Sequence, residues 1–199
     1  MCVWKIKEHH PTLETIIDDH EQQVQTASSL PVANTFYSQY KHRHTLKLFG
    51  AITPSGYGLA LDTVGRDLDE AEPRPGRCTD ADMIEECRWP GRVSPGYVTQ
   101  ADKGILVHSL FAKNHHSLET PFKKRRNVPG FCETGMVATE GTARVRIHIE
   151  RFFERVQDFK VTKKVIKVTE MDIYSSIWSV IYHMSNFDVD IIRQGRPGE

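Results

Sequence analysis

With 199 residues and 39% apolar side chains, the chain suits one domain with its own core. Lysine plus arginine and aspartate plus glutamate balance at 26 each, so overall charge selects no polyanionic partner. Cys2, Cys78, Cys87 and Cys132 form no CxxC pair, and no signal-like or long apolar stretch is present, which argues against a disulfide framework, a cysteine zinc site and a membrane span, and for a reducing intracellular compartment.

Residues 1–11 read as a tail that runs almost directly into a first strand, with no domain before it. TLETIID (12–18) places Leu13, Thr15 and Ile17 on one face and is expected to end in the polar knot DDHEQQ. Residues 26–44 read mostly as loop. TLKLFGAI (45–52) and YGLALDTV (57–64) read as strands of a hairpin, with Pro54 and Gly56 in the connecting turn. The acidic, Pro- and Gly-rich run at 65–77 reads as exposed loop. Thr79 or Asp80 is a candidate N-cap for a short helix through CTDADMIEECR. GYVTQAD (96–102) is a strand candidate ending in aspartate; KGILVHSLFAK resumes helical spacing, and KKRRNVPGFCETG reads as loop. A helix over 142–158 follows, then a basic strand or extended segment at 160–169. Ile173, Ile177, Val180, Ile181 and Met184 recur at helical spacing, which predicts a core helix over 171–187. Residues 189–199 read as a second tail. This order predicts an α/β domain over 12–188, a mixed sheet flanked by helices.

The segment ARVRIHIERFFERV (143–156) mixes charge with apolar bulk. At helical spacing Val145, Ile149, Phe152, Phe153 and Val156 share one stripe, and Arg144, His148, Arg151 and Arg155 line a second beside it. Glu150 lies at the opposite rim of the apolar stripe. Two readings stand: a solvated helix laced with surface ion pairs, or a helix that contributes Glu150 to an acidic site completed elsewhere. Lys123, Lys124, Arg125 and Arg126 form a further basic run, either solvated surface or a nucleic-acid contact.

Two predicted strands end in an aspartate, Asp18 and Asp102, where a sheet would hold a carboxylate rigidly. Divalent ions used in phosphoryl transfer take hard oxygen ligands, and two or three carboxylates from different elements are the least they require. Asp18, Asp102 and Glu150 meet that requirement in type.

IIDDHE, FYSQYKHRHTLKLFGAITPSG, GRCTDAD, ADKG and RVRIHIERFFERVQDFKV follow one another in an order that resembles the DDE superfamily endonucleases of the Harbinger type. The resemblance spans roughly residues 13–187 and is most specific at Tyr37 to Lys47, the TPSG turn and Arg144 to Arg155. It implies an RNase H-like catalytic core derived from a transposase, divalent Mg or Mn as cofactor, DNA as substrate, and a nuclear location. It implies Asp18, Asp102 and Glu150 as the catalytic, metal-holding carboxylates, with Asp80 as a further metal-site acid and Glu21 as an acid following the first aspartate. The basic stripe and Lys123 to Arg126 would then hold phosphate. Lys103, Ile105 and His20 depart from the residues usual in the family, and 66–75 looks like an insertion. The helical N-terminal DNA-reading region of full-length members is not in this sequence, so a homodimer or a separate DNA-binding partner is expected. The rival from another class is a decayed or domesticated DNA- or protein-binding module with the same fold. A zinc site built on the doublets His9–His10 and His115–His116 is a weaker third reading.

Overall fold

The computed structural model describes residues 3–62, 74–76, 78–102, 104–105, 107–121 and 133–188. Helix α1 (Val3–His9) buries Ile6 completely, so the stretch expected to be a tail contributes to the core. Strand β1 (Leu13–Gln23) does not stop at Asp18. Its antiparallel ladder with β3 (Arg43–Ile52) persists from Ile16 opposite Ile52 to Gln23 opposite Thr45. The polar knot therefore satisfies its backbone groups in a sheet, with its side chains alternating between two faces.

Residues 26–44 are not all loop. Pro31 falls in the first turn of helix α2 (Leu30–Phe36), where its missing N–H costs nothing, and β2 (Tyr37–Ser38) follows. The hairpin forms as the sequence indicates, with β4 (Gly58–Asp62) antiparallel to β3 and Gly56 at φ 83° in the turn. The short β5 (Arg74–Pro75) also pairs with β3. Thr79 caps helix α3 (Asp80–Glu86) in a reciprocal capping box with Asp82. Strand β6 (Val98–Gln100) runs parallel to β1, and β7 (Ser117–Glu119) runs parallel to β6 after the short helix α4 (His108–Ala112). Among the described residues the main sheet order is thus β4-β3-β1-β6-β7, an antiparallel meander continued by two parallel strands.

Helix α5 (Glu133–Gln157) starts well before the expected boundary and packs on β1 and β3. Its predicted stripe is the buried one: Val145, Ile149, Phe152, Phe153 and Val156 all lie in the core. A Cβ at Gly50 would stand 2.5 Å from the Phe153 ring, so the missing side chain lets β3 approach α5 closely. The 160–169 stretch is not a strand; it turns, and meets the sheet at a bridge between Val24 and Ile166 and where the Gln22 side chain donates to the Lys164 carbonyl.

Helix α6 (Met171–Met184) forms where expected but is rotated so that, of the expected stripe, Ile181 is buried and Ile177 only partly. Tyr174, Trp178, Ile181 and Tyr182 are inside, while Ile173, Val180 and Met184 are more than half exposed. The aromatic residues remove more apolar area per side chain. Tyr182 also donates a 2.7 Å hydrogen bond to the Ala51 carbonyl of β3, which pins the rotation.

The sheet separates two cores. Ile16, Leu46, Leu48 and Ile52 face α5 and α6, whereas Ile17, Phe49 and Ala51 face α3 and its neighbours.

Candidate active site

The register of β1 against β6 places the first two acids. Ile16 pairs with Gln100, and two residues further along each chain stand Asp18 and Asp102. A buried relay fixes this level: Thr15 Oγ1 meets Thr99 Oγ1 at 2.7 Å, Thr99 Oγ1 meets His116 Nε2 at 2.8 Å, and His116 Nδ1 meets the Ser94 carbonyl at 2.8 Å. Both ring nitrogens of His116 are thereby engaged within the fold, which removes it from the histidine-doublet zinc reading.

Glu150 reaches the same place from α5, and one arginine touches all three acids. Arg146 Nη1 lies 2.9 Å from Asp102 Oδ1, and its Nη2 lies 3.5 Å from both Asp18 Oδ2 and Glu150 Oε1. Burial raises the Asp18 carboxyl from its ordinary 3.8 to about 6, a rise that Arg146 and the Asp19 N–H partly oppose. Arg146 Nε is buried without an acceptor among the described residues. The sequence marks Arg146 only by position, one turn before Glu150 at the edge of the apolar stripe, so its role was not legible there.

A second acidic group stands on the other face of β1. Lys47 Nζ lies 3.7 Å from Asp19 and 2.5 Å from Asp80, and Thr45 Oγ1 donates to Glu21 at 2.7 Å. Burial, then the Asp80 charge, lifts the Asp19 carboxyl to about 7 despite Lys47. Burial alone would lower Lys47, but Asp19 and Asp80 outweigh it and raise the ammonium above its ordinary range. Both groups open into one cleft of about 550 Å³, with Tyr40 and Lys41 on its wall. Asp80 thus lines this cleft, paired with Lys47 on the α3 side.

The predicted phosphate stripe is only partly outward. Arg151 is exposed. His148 is 2% exposed, with neither ring nitrogen bonded among the described residues, and burial followed by the Arg151 charge lowers it to about 4. It is a neutral core residue, because the apolar face of α5 is wider than the five-residue stripe implied. Arg155 is half-buried: it donates to the Ser185 carbonyl at 3.3 Å and pairs with Asp188 at 3.5 Å, which ties α5 to the end of α6. The Arg144 side chain and Lys123, Lys124, Arg125 and Arg126 lie outside the described residues.

The donor set suits a hard divalent ion: carboxylates from β1, from the segment after β6 and from α5, the first of them part-buried. Among the described residues no three acidic, histidine or cysteine side chains are already arranged to hold one, since the trio is spread around Arg146. No helix among them is long and apolar enough to cross a membrane.

A mixed sheet in the order β4-β3-β1-β6-β7, flanked by helices and carrying Asp18 within β1 and Asp102 just past the end of β6, defines an α/β domain of the RNase H-like kind. A family model described as DDE superfamily endonuclease matches residues 17–186, most of the chain, and the chain belongs to that family. No characterised protein and no solved structure matched in the corresponding comparisons.

Proposed function

We propose that the chain is the catalytic core of a transposase-derived, divalent-metal-dependent endonuclease that acts on DNA phosphodiesters. Asp18, Asp102 and Glu150 are its catalytic carboxylates, and Mg²⁺ or Mn²⁺ is its cofactor. The observation that carries this reading is the convergence of these three acids, from three separate elements, on one guanidinium at 2.9–3.5 Å. An ion held there would polarise a phosphate oxygen and lower the pKa of an attacking water or 3′-hydroxyl. The protein's own part is positional. β1 and β6 hold Asp18 and Asp102 level, and α5 brings Glu150 over them. Lys41 on the cleft wall and exposed Arg151 on α5 supply charge for the phosphate backbone. The Harbinger subtype, action in the nucleus, and assembly as a homodimer or with a separate DNA-reading partner belong to the same proposal.

The test is plasmid nicking with Mg²⁺ or Mn²⁺. Asp18→Asn, Asp102→Asn and Glu150→Gln should each lose activity by at least about a hundredfold while staying folded. Nicking that survives all three substitutions would reject the trio. A second reading, a non-catalytic binding module, is favoured by one observation: Arg146 already bridges the trio without an ion. A parent that binds DNA but neither nicks it nor takes up Mn²⁺ would establish that reading instead.

A further inference from the structure

We infer that Arg146 is the resident cation of the carboxylate trio, and that a divalent ion enters as this guanidinium leaves for a phosphate oxygen of the substrate. The inference rests on the metal-site reading above and adds a gate to it.

One side chain bridges acids from β1, the segment after β6 and α5, at 3.5, 2.9 and 3.5 Å. These are hydrogen-bonding and ion-pair distances, whereas a small divalent ion draws oxygens in to about 2.0–2.2 Å. Ion and guanidinium therefore compete for the same lone pairs, and two cations this close repel. The carboxylates would repel one another with neither cation present. The arginine root is held by α5 one turn from Glu150, but its long stem can swing.

One observation and one chemical match give it somewhere to go. Its buried Nε has no acceptor among the described residues, so the planar fork is incompletely satisfied where it rests. A phosphate offers paired oxygens that match the fork. Lys47 does not duplicate this role, because its ammonium is held between Asp19 and Asp80 on the other face of β1. The consequence is reciprocal coupling: DNA phosphate promotes metal binding, and metal promotes DNA binding.

The experiment is calorimetric titration of Mn²⁺ into the full chain, parent and Arg146→Gln, with and without a short phosphorothioate duplex. Without DNA, R146Q should bind Mn²⁺ on the order of tenfold more tightly than the parent. The duplex should tighten Mn²⁺ binding to the parent by a similar factor and leave R146Q unchanged. Equal or weaker Mn²⁺ binding by R146Q, or duplex coupling that persists in it, overturns the inference and leaves the metal site standing. Mn²⁺ heat that is absent from both the parent and R146Q, with and without duplex, or the same in Asp102→Asn, overturns the metal site and the inference with it. R146Q removes the guanidinium that the three acids share, a change that can unsettle the fold there, so Arg146→Lys provides the second variant. Its ammonium lacks the fork that spans the trio, and it should bind Mn²⁺ more tightly than the parent; affinity no greater than the parent's overturns the inference.

Discussion

Part-buried Asp19 and buried His148 are ionisable groups that respond to pH in opposite senses. Asp19 holds its proton up to about 7 against an ordinary 3.8, so between those values the folded protein keeps a proton the unfolded chain has lost. Stability therefore falls as pH rises through that window, and the deficit is complete above it. Asp19→Asn should be more stable than the parent at about pH 8, by roughly 2–4 kcal/mol, and level with it at about pH 4. Chemical denaturation at the two pH values measures this; an equal difference at both would contradict it. Tolerance of such a cost is common where carboxylates are kept for chemistry. His148 titrates the other way. It is lowered to about 4 from 6.5, so the unfolded chain protonates first and stability falls as pH drops through that range. His148→Leu fills the same buried site without a titrating group. Its melting temperature should decline less than the parent's between about pH 7 and pH 4, and parallel curves would refute the assignment.

The elements meet through close contacts that tolerate little change. Gly50 pairs with Asp18 and lets Phe153 of α5 come within 2.5 Å of where a Cβ would stand, with Tyr182 Oη at 3.3 Å. Gly50→Ala should cost about 1–3 kcal/mol by overpacking, read from the shift of the urea midpoint. A shift indistinguishable from zero would mean that α5 does not sit this close to β3. Helix α6 gives a paired test of its orientation. Trp178 is fully buried, and Trp178→Ala should destabilise by about 3–5 kcal/mol. Val180 is 57% exposed, and Val180→Ser should stay within about 0.5 kcal/mol of the parent. The reverse ranking would restore the face that apolar periodicity alone suggested.

At the scale of the molecule, balanced charge hides a local asymmetry. Acids crowd the cleft, where Arg146 and Lys47 are internal counter-charges, while Lys41 on its wall and Arg151 on the surface of α5 face outward. Outward contacts of this kind hold a phosphate backbone without reading bases. The chain should bind unrelated duplexes with similar, weak affinity that falls steeply with salt. Arg151→Ala should weaken all of them alike and lower the salt slope by roughly one phosphate contact. Fluorescence anisotropy at two salt concentrations with several duplexes provides the measurement. Tight, salt-insensitive binding to one duplex would reveal a base-reading surface that the cleft geometry does not suggest.

Local pattern alone indicated the β3–β4 hairpin, a cap at Thr79 or Asp80, the buried stripe of α5 and the existence of α6. Each is set by neighbours within a few residues, through turn chemistry, a capping side chain or one apolar period. The motif order also marked Asp18, Asp102 and Glu150, the acids that the fold then brings to one guanidinium. Tertiary structure decided the rest. The polar run after Asp18 is strand because β3 lies alongside it, and the face that α6 buries is set by the packing of Trp178 and by the Tyr182 bond to Ala51. His148 became core and Arg155 a link to α6, because their surroundings come from residues distant in sequence. Arg146 looked like any basic residue on a helix edge until β1 and β6 placed two carboxylates within its reach. Its role is a juxtaposition across the fold, and no spacing along one helix encodes that.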